Sequence, residues 1–291
     1  MAPPPNTRLF AWDGLSFRVP ETWCFAAYSY QTKHVARVEL EDDYTIRLEV
    51  EWIKPRRQVD RDRVQKKYSK KAERIGKQAN RSRRLHRLPK GWGGNVFTMN
   101  DGIEVMSAYY LSPDGEICAW FRGHFSKKDP EKAESIIAMI AKDCDVHTKG
   151  MVPWNVYDVA FEVPATFRLM RTSFHAGRKE LIFIWRLRKY RIWFFSLAEI
   201  ILRDNELLDW AVEYLNADKY LKGPIFYVKD GEIRSRRTWR YPVGHKEEIG
   251  RMSYRYHVTC HHDAEANQIV LAVFQHRRKS DLLQLPRPAL P

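Results

Sequence analysis

The chain has 291 residues, about two domains at roughly 150 residues each. Its 44% hydrophobic and 13% aromatic content excludes a disordered chain, which cannot bury enough apolar surface to offset the entropy of ordering. Formal charge is +14, yet the window 54–90 alone holds 16 Lys or Arg against three acids, a net +13, so the remainder is nearly neutral and a uniformly basic protein is excluded.

The first element is a strand at 15–23, LSFRVPETW. Two β-rich runs follow at 35–40 and 44–53, split by the polar Glu41-Asp42-Asp43. In the second run Ile46, Leu48, Val50 and Trp52 alternate with Arg47, Glu49 and Glu51, the period of a sheet with one wet face. A helix is predicted over 59–78, because Val64, Tyr68, Ala72 and Ile75 recur at helical spacing. Asp60 and Asp62 suit the positive end of its dipole, and Gly76 marks its stop. Lys66, Lys67, Lys70, Lys71 and Arg74 flank the apolar stripe and are expected to face water. Arg81, Arg83, Arg84 and Arg87 then lie in a segment with almost no apolar content, read as a loop or an extended lead into the next strand. Gly91-Trp92-Gly93-Gly94 reads as a turn; no Lys-Ser or Lys-Thr follows it, so it is not a phosphate loop. Strands are expected at 94–99, 104–111 and 116–125, with Asp114-Gly115 as a hairpin turn. A second helix is predicted over 130–142, capped by Asp129 with Pro130 in its first turn.

The second half repeats the first. Residues 159–167, VAFEVPATF, match 15–23 with Phe17/Phe161, Val19/Val163, Pro20/Pro164 and Thr22/Thr166 identical. Runs at 181–187 and 190–197 follow, split by Arg188-Lys189, and the apolar stretch Ile192, Trp193, Phe194, Phe195 indicates a strand covered on both faces. A helix at about 204–216 and strands at 224–228, 231–241, 251–260 and 268–275 complete it, before a Pro-containing tail. The expected organisation is α+β: a first repeat over 1–148 with the basic helix 59–78, and a second over 149–291. Each is an antiparallel sheet flanked by helices.

The signature Phe-x-Val-Pro-x-x-Trp from Phe17 to Trp23, followed by two strands, a helix and a strand meander, resembles the Mog1p/PsbP-like family, in tandem. The second copy departs from it in carrying Phe167 at the Trp position and in lacking a clear final helix. The resemblance implies helix-flanked sheets used for protein binding without catalysis: assembly factors, a GTPase-binding factor and secretion-effector chaperones. It carries over no catalytic residue.

The side chains support little chemistry. Cys24, Cys118, Cys144 and Cys260 have no metal-ligand spacing and read as free thiols. Of the second-half histidines, His257 and His261 share a strand face but stand about 13 Å apart at about 3.3 Å per residue. Cys260 and His262 would give only two ligands, and His276 falls opposite about Ser253. No metal site and no cofactor is therefore assigned. A second basic cluster comprises Arg186, Arg188 and Arg191 around one hairpin turn, with Arg236 and Arg240 on a later strand beside Trp239 and Tyr241. No apolar run is long enough for a membrane span, and MAPPPNTRLF is no secretory signal, so a cytoplasmic location is expected. The leading expectation is a non-enzymatic protein-binding or adaptor module whose basic surface takes an acidic protein partner. The alternatives are a nucleic-acid-binding protein using 54–90, and a metal-dependent enzyme in the His-rich second repeat.

Overall fold

The structure is a computed structural model that describes residues 6–32, 35–54, 60–156, 159–218, 221, 224–237, 254–277, 282 and 287–288. The chain divides into two compact units, Met1–Ala160 and Phe161–Pro291.

The first unit opens with the hairpin β1 (Thr7–Trp12) and β2 (Leu15–Pro20). Its two-residue turn places Asp13 and Gly14 at φ 46° and 84°, the left-handed pair that such turns require. A Cβ on Gly14 would sit 2.9 Å from the His147 carbonyl oxygen, so the bare backbone is needed there. A meander of β3 (Cys24–Thr32), β4 (Val35–Glu41) and β5 (Ile46–Ile53) leads to α1 (Arg61–Gly76). Four strands return: β6 (Ala79–Arg84), β7 (Trp92–Met99), β8 (Glu104–Leu111) and β9 (Cys118–Phe125). α2 (Ala133–Asp143), β10 (Asp145–Val146) and β11 (Met151–Val156) close the unit. The large sheet is antiparallel, ordered β3-β4-β5-β9-β8-β7-β6, so β3 and β6 are its edges. The β1–β2 hairpin is flanked by β10 on β2 and by β11 on β1.

α1 covers one face of the large sheet. Val64, Tyr68 and Ala72 pack with Phe97, Val105, Tyr109, Leu111, Cys118 and Trp120. Tyr68 also donates its hydroxyl to the Ser107 carbonyl at 2.8 Å, which satisfies the one polar atom on that stripe. On the opposite face the hairpin packs through Phe17, which meets Phe121 edge-on at 5.6 Å. α2 adds Ile136, Ile137 and Ile140 on that side.

The second unit contains β12 (Val159–Pro164, from Phe161 on), β13 (Arg168–His175), β14 (Arg178–Trp185) and β15 (Arg188–Ser196). Then come the short α3 (Ala198–Ile201), α4 (Leu207–Ala217), β16 (Pro224–Lys229), β17 (Glu232–Arg237), β18 (Arg255–Asp263), β19 (Gln268–His276) and β20 (Arg287–Pro288). Its main sheet runs β13-β14-β15-β19-β18; β16 pairs with β17, and β20 pairs with β12. β15 is buried on both faces from within its own unit. Trp193 and Phe195 point to α4, while Phe194 meets Phe161 of β12 at 5.6 Å. The turn after Pro20 and the turn after Pro164 are built alike: Trp23 N–H donates to the Pro20 carbonyl and Phe167 N–H to the Pro164 carbonyl.

The expectation of α+β sheets flanked by helices is corrected. Among the described residues the structure is mostly antiparallel strand, 54% against 18% helix. Segments 7–12, 24–32, 151–156 and 168–175, which were given no element, are strands, and 79–84, read as a loop or an extended lead, is a strand too. The three expected helices are present as α1, α2 and α4; the class changes because these further strands are added and because a β hairpin shares the second face of the first large sheet with α2. The compact units divide at 160/161, and the pairing of β11 with β1 lies within the first of them. Local details move as well. Asp129 does not cap α2, whose N-cap is Lys132; Asp129 instead accepts from Ser126 N–H and pairs with Arg47. The β14–β15 turn is Arg186-Leu187, two residues earlier than expected. β18 meets β19 with His276 opposite Arg255, not Ser253. The strand expected at 231–241 is described through Arg237; Arg240, Trp239 and Tyr241 lie outside the described residues, as does most of the tail.

Candidate functional site

The candidate surface grows from α1. Asp60 caps the helix, its carboxylate accepting from Asp62 N–H at 3.2 Å. The buried side is Val64, Tyr68 and Ala72. At about 100° per residue, Arg63, Lys66, Lys70, Arg74 and Lys77 then fall on the far side as one stripe. All five, Arg63, Lys66, Lys70, Arg74 and Lys77, are exposed.

Of Lys67 and Lys71, both expected to face water, Lys67 is exposed and Lys71 is half-buried on the flank of α1. Their ammonium groups stand 4.3 Å and 4.6 Å from the centre of the Trp120 ring on β9, and Lys71 is also paired with Glu51 of β5 at 3.0 Å. The stems cover apolar surface while the charges meet the negative face of the indole. Trp120 was not singled out from the sequence. Its only signal was alternation within the strand 116–125, and the lysines that cover it are 49 and 53 residues earlier.

Beyond α1 the same sheet face is ion-paired. Glu49 accepts from Arg37 at 2.6 Å and lies 2.9 Å from His124 Nε2, with Arg122 at 3.8 Å. The His124 hydrogen bond, reinforced by Arg122 and Arg37, holds the Glu49 carboxyl below the usual range despite its partial burial.

β6 supplies the remaining arginines. Arg81 and Arg84 are exposed on this edge strand, and Arg87 follows it at φ 59° in the turn before β7. Arg83 is engaged: it donates to Glu104 of β8 at 2.8 Å and to Glu134 of α2 at 2.6 Å, and these two hydrogen bonds raise its pKa strongly. Of the nine cations expected to form the binding surface, Lys66, Lys70, Arg74, Arg81, Arg84 and Arg87 are in water. Lys67 is exposed as well but keeps its ammonium over Trp120, while Lys71 and Arg83 are half-buried and paired with the protein's own carboxylates.

The second cluster does not hold together. Arg191 is 3% exposed and bound to Glu180 and Asp218, so it is a core group rather than a surface cation. Arg188 stacks on Trp185 at 4.2 Å, and Arg186 lies 5.5 Å from the same ring. Arg236 is on β17, opposite Ile225, and Arg240 lies outside the described residues. Among the described residues no group of three His, Cys, Asp or Glu side chains is placed to hold a metal ion. The thiols of Cys118, Cys144 and Cys260 are each pushed up to about 12 by burial, which removes their nucleophilic form at neutral pH. No described helix is long and apolar enough to cross a membrane.

No protein-family model matches this chain, and no curated protein is significantly similar to it.

Proposed function

We propose that the chain is a non-enzymatic, adaptor-type binding module of the cytoplasm that takes an acidic protein partner on the outward stripe of α1 and the exposed arginines that follow. One observation carries the reading. Lys66, Lys70 and Arg74 stand four residues apart on the water side of a helix, where like charges repel by about 0.2–0.5 kcal/mol per pair. The helix is held by its buried Val64, Tyr68 and Ala72 and carries only Asp62 and Glu73 as acids, so most of this outward charge is left for an external anion.

The aromatic rings beside the stripe favour a protein over a nucleic acid. Tyr68, Tyr109 and Trp120 are turned into the core, 5%, 6% and 6% exposed, and so offer no stacking platform to bases. Free thiols suit a reducing compartment.

The test is a titration of the full chain with a glutamate-rich peptide and with a single-stranded oligonucleotide at matched ionic strength, using wild type and the triple variant Lys66→Glu, Lys70→Glu, Arg74→Glu. Salt-sensitive peptide binding, weakened tenfold or more in the variant, supports the reading. Tighter oligonucleotide binding lost in the same variant decides for nucleic acid, and binding that the variant leaves unchanged rejects the α1 stripe.

A further inference from the structure

Resting on that reading, we infer that the outer edge of β6 accepts an extended acidic peptide segment of the partner as an additional antiparallel or parallel strand, with Arg81 and Arg84 meeting its carboxylates. β6 ends the seven-stranded sheet, and among the described residues no strand pairs with its outer side.

The pairing with β7 fixes which main-chain groups look outward. Arg81, Ser82, Arg83 and Arg84 stand opposite Thr98, Phe97, Val96 and Asn95, and Leu85 N–H donates to the Gly94 carbonyl at 2.9 Å. Inward and outward pairs alternate along an antiparallel ladder. Leu85, Arg83 and Arg81 therefore bond inward to β7, while Ser82 and Arg84 direct their N–H and C=O away from the sheet. Those four groups are the docking points of strand addition.

The side chains select the occupant. Phe97, opposite Ser82, packs under α1, so Ser82 and Arg84 lie on the α1 face. Arg83 reaches Glu134 of α2, so Arg83 and Arg81 lie on the other face. An incoming strand thus meets an exposed guanidinium on each face of the sheet. A second copy of β6 would set arginine against arginine and is repelled, as charged edges generally are. Consecutive carboxylates, which repel one another and keep a peptide extended, are matched on both faces at once.

The experiment is hydrogen exchange, read by NMR on the full chain, with an eight-residue peptide alternating Glu with Thr and Asp, and with the same peptide N-methylated at alternate residues. The expected result is slowing of the Ser82 and Arg84 amides by tenfold or more with the first peptide, and its loss with the methylated one. Ser82→Pro, which removes only an outward donor on an edge strand, is expected to weaken the first peptide by tenfold or more. Peptide binding that leaves Ser82 and Arg84 unprotected but disappears in the Lys66→Glu, Lys70→Glu, Arg74→Glu variant overturns the strand addition and leaves the acidic-partner reading standing. Protection of those amides by an oligonucleotide instead overturns the peptide assignment, and no binding of either peptide at low salt overturns both.

Discussion

Arg191 shows what a buried cation does to this fold. At 3% exposure it is bound by Glu180 at 2.5 Å and Asp218 at 3.1 Å, and its guanidinium lies 4.6 Å from the Trp193 ring. It ties β14, β15 and the end of α4 together. Arg191→Met alone takes the guanidinium away from the buried Glu180 and from Asp218, and is expected to cost about 3–5 kcal/mol, read as a lowered urea midpoint. Adding Glu180→Leu and Asp218→Asn should return a large part of that loss; a further loss would mean the triad contributes net stability. The thiols give a second residue-scale outcome. Cys24 is exposed, whereas Cys118, Cys144 and Cys260 are held protonated by burial. A thiol-reactive chromophore at neutral pH should therefore modify Cys24 alone in the folded chain and the other three only after denaturation. Rapid native modification of Cys118 would contradict its place under α1.

At the scale of elements, the β14–β15 hairpin carries strain. Its turn puts Arg186 at φ 53°, a region that costs an L-residue roughly 1–2 kcal/mol, against about 0.5–1 kcal/mol of extra chain entropy for glycine. Arg186→Gly should raise the melting temperature slightly; a fall would show that the contact with Trp185 outweighs the strain. β5 gives a pH-dependent outcome. The Glu49 carboxyl is held below its ordinary range, so its contribution is complete above the unfolded-state value and is lost as pH falls through the folded one. Glu49→Gln should be less stable than wild type near neutrality, with the gap closing below about pH 4. A gap that stays constant to pH 2 would rule out the ionised carboxylate as the cause. The elements also mark how far the sequence could be read. α1 was legible because its buried Val64, Tyr68 and Ala72 lie in register and Asp60 caps it locally. β6 and β13 were not: both are edge strands, which need bury little, and arginines fill β6 while a bulge between Leu169 and Arg171 breaks the alternation of β13. The supposed cap Asp129 misled because its real partner, Arg47, is 82 residues away.

For the whole molecule, the charge count located the basic segment but not its availability. Which cations face water depends on acids distant in sequence: Glu51 for Lys71, Glu104 and Glu134 for Arg83, Glu180 and Asp218 for Arg191. The fold class was misjudged for a related reason, because strand pairing between distant segments leaves a weaker local trace than helical periodicity. With +13 of the +14 charges in one window, association with an acidic peptide should be steered by that window's field. Its association rate should fall steeply as salt rises from 50 to 300 mM while dissociation changes less, measured by stopped flow; a salt-independent rate would mean that the charges do not guide encounter.

Arg83 gives β6 a property that its exposed neighbours lack. Clamped to Glu104 on β8 and Glu134 on α2, it rivets the outermost strand to the body of its unit before any visitor arrives. The host side of such an encounter is already organised, so nearly all the freedom surrendered on docking comes from the visiting segment. Were a segment to dock there, its stiffness would join its charge in setting how tightly it is retained.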